Sequence, residues 1–440
     1  MNKYFLTALA LVASVSFSYS QATISPAKAQ TQRVIVMGGT IHTGEGTVIE
    51  NGYITFEKGK ITGLGDATTV KINTDGARVI TANGKHIYPG FIATGTELGL
   101  IEVESVKATI DRSEMGDMNA NIRSISSYNT DSKVIPTLRS NGLLMAQITP
   151  QGGTISGNSS VVQLDAWNWE DAALKIDDAL HMSWPSSRGR GGFGGGGMRG
   201  MMPGGVDPNE RAQNAIAELT NLFTEAKEYA ANKPAVVNSR LDAISKLFSG
   251  SKKLFITANA QKDIVAAVNF AKKFGITPVI AGAQEAHLLI DFLKQNNVII
   301  VANNPHSLPS SVDEDVNAPY KNVARLSNAG LTVVIAYGTG DGYWRQRSLP
   351  FVAGTASTWG MPKEEALKTI TLNAAKAMGI DKTTGSLAIG KDATLFISAG
   401  DALDMIGNKV EEAFIQGRSI NLDNLHKQLN KRYTDKYGIK

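Results

Sequence analysis

The chain contains no cysteine, and this single absence removes disulfides, thiolate metal sites and a cysteine nucleophile together, so the fold must hold by packing. Histidine is scarce as well, with six in 440 residues, which limits how many imidazoles a metal site can draw on. The net charge of +4 is small for the size and points to neither nucleic acid nor an anionic membrane as partner. Beyond the first twenty residues, no apolar run approaches the ~20 residues that a membrane-spanning helix needs. No Ser-His or Gly-x-Ser-x-Gly arrangement occurs, so nucleophilic hydrolysis through a serine has no support.

What remains is an ordinary globular balance, 42% hydrophobic and 19% charged, with ample length for a large core and more than one domain. Residues 1–29 read as a secretory signal, with Lys3, an apolar run from Phe5 to Phe17 and small residues after it. Cleavage is expected after Ala22 or after Ala29, the second being favoured because Ala27-Lys-Ala29 has the small-x-small form. A periplasmic or secreted location follows. Residues 186–206 carry a glycine run with Arg188, Arg190 and Arg199 and read as a flexible insert, a lid or partner-docking loop after a strand's carboxyl end.

From Arg33 to Lys85 short apolar runs alternate with glycine punctuation (Val34-Ile-Val-Met, Gly38-Gly39, Tyr53-Ile-Thr-Phe, Ile61-Thr-Gly-Leu), the spacing of an antiparallel β unit. A matching piece follows Gly385, through Gly390-Lys-Asp-Ala and Val410-Glu-Glu-Ala-Phe-Ile. Between these two pieces, apolar strands alternate with helical patterns, which predicts a parallel sheet. After Phe91-Ile92, the candidate strands are 143–149, 160–165, 180–184, 254–257, 278–280, 298–301 and 331–337. One helix is predicted to open at Asp207-Pro-Asn-Glu210, with Ala212, Ile216, Leu219, Phe223, Ala226 and Ala230 as its apolar stripe.

The run Pro89-Gly-Phe-Ile92, the Gly390-Lys-Asp-Ala393 piece and the late helix ending at Gly379 together resemble the amidohydrolase superfamily, near its imidazolonepropionase-like branch. The resemblance implies an α/β fold: a (β/α)8 TIM-type barrel over residues 89–383 and a small composite β-sandwich of residues 30–88 plus 384–422, with 423–440 a polar tail. It also implies hydrolysis of amides, cyclic amides or dipeptides by a divalent metal, zinc in the family. The ligands themselves are replaced. Gly95 and Glu97 stand at the first strand's two histidines, Thr257 and Gly282 at those of the fifth and sixth strands, and Gly340 at the eighth strand's aspartate.

Glu97 is left as a candidate metal ligand or a polar rim residue. Asp341, one position late, is a candidate catalytic acid or a turn cap. His306 is the only histidine expected at the barrel mouth, and Gln151, Asn259 and Asn303 are expected to line a substrate pocket. Two functions stay open: a C–N hydrolase with reduced, altered or lost activity and no more than a weakly bound metal, or an empty barrel. The second would bind a small molecule, form a homo-oligomer, or pair with an active amidohydrolase.

Overall fold

The computed structural model describes residues 25–186, 207–309, 312–338 and 342–438. Gly340, Asp341 and residues 187–206 of the glycine-rich insert therefore lie outside the described residues.

The strands sort into two sheets. The first half of the chain supplies β1 (Val34–His42), β2 (Val48–Glu57), β3 (Lys60–Asp66), β4 (Arg78–Thr81) and β5 (His86–Pro89). The barrel strands are β6 (Phe91–Thr96), β7 (Leu143–Ile148), β8 (Ile155–Gln163), β9 (Ala173–Ser183), β10 (Lys253–Ala258), β11 (Val279–Gly282), β12 (Ile299–Asn303) and β13 (Val333–Ala336). The last strands are β14 (Leu395–Ser398), β15 (Val410–Ile415) and β16 (Arg418–Ser419).

In the first sheet the order is β16-β15-β14-β5-β1-β2-β3, with β4 also on β1. Antiparallel pairing of Ile87 in β5 with Ile397 in β14 joins the two ends of the chain. Phe56, Ile54, Ile87, Leu395 and Phe414 bury completely against one another. Pro89 ends β5 and Phe91 begins β6, so the chain changes sheets at Gly90. A Cβ there would sit 2.9 Å from Thr394 and 3.0 Å from Leu144, which is why this crossing takes glycine.

The second sheet runs β13-β12-β11-β10-β9-β8-β7-β6, and β13 lies against β6 so that the barrel nearly closes. The seam is bridged from outside the sheet. The Ile92 amide donates to the Ile370 carbonyl at 2.9 Å, and the Asn373 side chain donates to the Val333 carbonyl at 2.9 Å. Inside, Ile92, Met145, Val161, Phe255, Val279 and Val334 fill the lower barrel, with Met378 below them.

One strand runs against the rest. β8 pairs antiparallel with both β7 and β9, and the link from β8 to β9 holds only the single helical turn Trp169–Ala172. Two crossover helices are thus replaced by two antiparallel connections, neither of which needs a long crossover. The sequence of β8, Ile-Ser-Gly-Asn-Ser-Ser-Val-Val-Gln, starts the strand five residues earlier than expected, behind residues of low β preference. The helix Pro208–Ala231 buries Ala212, Leu219, Phe223, Ala226 and Tyr229. Ala230 is exposed and Ile216 only half-buried.

Candidate functional site

The mouth is set by how each barrel strand ends. Gly95 has φ +65°, and the ladder between β6 and β7 slips between Ala93 and Thr96. Residues 95 and 97 therefore do not share a face, and the two-residue spacing of a regular strand is lost here. Glu97 is buried, and its carboxylate accepts from Arg112 Nη1 at 3.1 Å. Burial raises the Glu97 carboxyl above its ordinary range, and the neighbouring guanidinium opposes that rise.

On the far side of the mouth, two glycines are shaped by asparagines. Gly282 has φ +85°, and the Asn259 amide fills the space that a Cβ at 282 would take. Gly338 has φ +76°, and Asn303 lies 2.8 Å from the corresponding position. So Asn259 at the end of β10 covers the end of β11, and Asn303 at the end of β12 covers the end of β13. Thr257 is exposed at the end of β10.

Other expected site residues sit elsewhere. His306 is exposed, its Nε2 is 2.8 Å from Thr355 Oγ1, and its ring lies beside Tyr320, so it faces the helix Leu349–Thr358. Gln151 is half-buried and its backbone N–H donates to the Arg112 backbone carbonyl at 2.7 Å. Asp341 and Gly340 fall outside the described residues.

The structure brings together a different group. Ser159 Oγ donates to Asp178 Oδ1 at 2.7 Å, Gln147 Nε2 donates to Asp178 Oδ2 at 2.7 Å, and His181 Nε2 lies 2.9 Å from Ser159 Oγ. Gln147 Oε1 in turn accepts from the Gly95 amide at 3.2 Å. Ser159 and His181 lie two residues from Val161 and Ala179, both in the barrel's inner core, and the His181 ring stacks on Phe255 at 4.8 Å. Burial pushes the Asp178 carboxyl up to about 6, against the hydrogen bonds from Ser159 and Gln147 and the charges of Lys175 and Lys252. Burial alone pushes His181 down to about 3, so the imidazole is neutral.

His306 follows the carboxyl end of β12 and contacts Thr355, while His181 lies on β9 among the inward-facing residues. Its signal was present in Leu180-His-Met-Ser-Trp184, where His181 alternates with apolar neighbours. The partners that give it a role, Ser159 and Asp178, come from a hairpin that the sequence pattern did not suggest.

The family's divalent metal does not fit these residues. Gly282 has its side-chain space filled by Asn259, Gly95 has a backbone that disfavours any side chain, and Glu97 is already engaged by Arg112. Among the described residues, no three His, Asp or Glu side chains converge as a metal would need.

Comparison with known proteins agrees on the fold. The profile of the amidohydrolase family matches residues 195–424, just over half of the chain. The imidazolonepropionase of Symbiobacterium thermophilum is 35% identical over 193 residues, which is 43% of this chain and 42% of that protein. That of Flavobacterium psychrophilum is 28% identical over 178 residues, 35% of this chain and 43% of that protein. These matches span less than half the length of either relative. An amidohydrolase structure from Thermotoga maritima superposes with a TM-score of 0.75 at 19% identity, over 88% of this chain and 99% of that one. A prolidase crystallised with N-methylphosphonate-L-proline does so with a TM-score of 0.55 at 14% identity, over 88% of this chain and 99% of that one. With a barrel of this design and a family profile across most of it, the chain belongs to the amidohydrolase family, whose common reaction is hydrolysis of C–N bonds.

Proposed function

We propose that this chain is an exported member of the family that binds a small, uncharged amide-type molecule at the barrel mouth without the family's metal, and that C–N hydrolysis is lost. The observation that carries this reading is the Asn259 side chain lying in the space of residue 282, where the resemblance places a histidine ligand. Asn259 and Asn303 each offer a carboxamide donor and acceptor, suited to an amide group presented by a ligand. Export is supported by the leader-like start of the chain. Ala27 donates to Asp165 at 2.9 Å and accepts from Arg418 at 3.2 Å, which favours cleavage after Ala22 over cleavage after Ala29.

The test is metal content and turnover of the purified mature protein. The expected outcome is less than stoichiometric zinc, iron or manganese, and no chelator-sensitive hydrolysis of dipeptides or cyclic amides when those metals are added. Near-stoichiometric metal, lost together with turnover in Glu97→Ala, would overturn the reading.

A further inference from the structure

The hydrogen bonds around His181 engage Nε2 and leave Nδ1, the second ring nitrogen, to be accounted for. With Asp178 ionised, the Ser159 hydroxyl places its single hydrogen on Oδ1 at 2.7 Å, the shorter of its two acceptor contacts, the other being the Ala179 carbonyl at 3.4 Å. Ser159 Oγ is then an acceptor towards His181, and the 2.9 Å contact requires the hydrogen to sit on Nε2. Nδ1 is consequently the unprotonated nitrogen. Nothing among the described residues donates to it, although His181 as a residue is only half-buried.

A second, independent observation lies on β6, which β7 separates from β8. Thr94 in β6 shares its face with Ile92 of the inner core, is fully buried, and its Oγ1 has no hydrogen-bond partner. A buried hydroxyl without a partner is uncommon and costs free energy unless something else completes it. The charged groups nearby are already engaged: Arg112 pairs with Glu97, Lys175 donates to the Met378 carbonyl, and Lys252 donates to Asn158 Oδ1 and the Ala243 carbonyl. An ionic ligand would find no free counter-charge among these groups, whereas a neutral one loses little on leaving water.

We infer that the chain Asp178–Ser159–His181 fixes His181 Nδ1 as the hydrogen-bond acceptor for the N–H of an uncharged amide or ureide bound at the barrel mouth. This rests on the metal-free reading above and names the group that meets the ligand. Asp178 and Ser159 act through His181 as positioning residues. The same chain also has a defined reversal. One proton arriving at Nδ1 from ligand or solvent releases the Nε2 proton to Ser159 Oγ, as the hydroxyl proton passes to Asp178 Oδ1. The net change is one neutralised carboxylate and no imidazolium. Oδ1 is the receiving oxygen because Gln147 already donates to Oδ2. No other titratable side chain hydrogen-bonds this chain: Gln147 from β7, Ser159 from β8 and Phe255 from β10 pack against it, and Lys175 and Lys252 supply the field.

The experiment is nitrogen NMR of the full mature protein with 15N-labelled histidine, His181 being assigned from the signals missing in His181→Gln. At pH 8 the expected state is the Nε2–H tautomer. Imidazolidin-2-one should shift the Nδ1 signal of His181, and 1,3-dimethylimidazolidin-2-one, which has no N–H, should not. Lowering the pH to 5 should move the hydrogen to Nδ1 in the wild type and not in Asp178→Asn, while Ser159→Ala should abolish the tautomer preference. The inference is overturned by an Nδ1–H tautomer at pH 8, by direct passage to imidazolium, by equal shifts with both ureides, or by no shift at millimolar concentration. If Ser159→Ala fails to fold, the Asp178→Asn and ureide arms decide alone. Metal content is read separately, so zinc binding would defeat the metal-free reading without altering the tautomer result.

Discussion

Gly95 and Gly282 show how two residues of one type, both at left-handed φ, do different work. Adding a Cβ at Gly95 meets nothing within 4 Å, whereas at Gly282 it meets the Asn259 amide. Each Gly→Ala change should cost about 1–2 kcal/mol of stability, since left-handed backbone is unfavourable for any residue with a Cβ. Denaturant unfolding checks that pair of losses. Only Gly282→Ala should also weaken binding of imidazolidin-2-one, because Asn259 must swing away from the mouth. Equal affinity for the two variants would remove Asn259 from the binding role. The same geometry makes Gly95→His a poor way to rebuild a metal site, because φ +65° works against the new side chain before any ligand is gained.

At the scale of the element, the β8–β9 hairpin is what places Asp178 in the barrel. The strand irregularity between Ser159 and Val161, with Asp177 at φ +52°, lets Asp177 reach outward to Arg123 at 2.9 Å while Asp178 turns inward to Ser159. A carboxyl raised to about 6 binds its proton more tightly folded than unfolded. Its stabilising contribution is therefore complete below about pH 4 and is lost as pH rises through 6. Relative to Asp178→Asn, the wild type should lose roughly 3 kcal/mol between pH 4 and pH 7 as an upper bound. Chemical denaturation of both proteins at a series of pH values measures this. A difference that grows with pH instead would mean that the hydrogen bonds from Ser159 and Gln147 outweigh burial.

At the scale of the molecule, the barrel and the terminal sheet are tied by one buried charge cluster. Asp165, just past β8, accepts from Arg139 Nη1 at 2.5 Å and from Arg418 Nη1 of β16 at 3.2 Å, and is almost fully buried. Asp165→Asn leaves two guanidinium groups short of a counter-charge, one of them buried. A loss of about 3–5 kcal/mol is expected, seen as a large drop in the unfolding midpoint. Replacing all three residues by apolar ones of like volume should restore much of that loss, because the buried pair itself contributes little net stability. Little effect from Asp165→Asn would mean that water reaches the cluster.

The sequence by itself determined the two sheets and the strand positions of the barrel, because apolar runs between glycines report local burial and need no partner to be read. It also located Pro89-Gly-Phe as the crossing between sheets, and the resemblance it carries pointed to Gly95, Thr257 and Gly282 as the family's ligand positions. Tertiary structure alone decided the antiparallel β8, since strand direction depends on which neighbour a polar strand pairs with rather than on its own pattern. The group around His181 was also beyond the sequence. Ser159, Asp178 and His181 lie within 23 positions of one another, yet they meet only because a hairpin and an irregular register turn three side chains into one interior. Spacing rules assume regular strands, and at Gly95 and at Asp177 the backbone departs from that regularity.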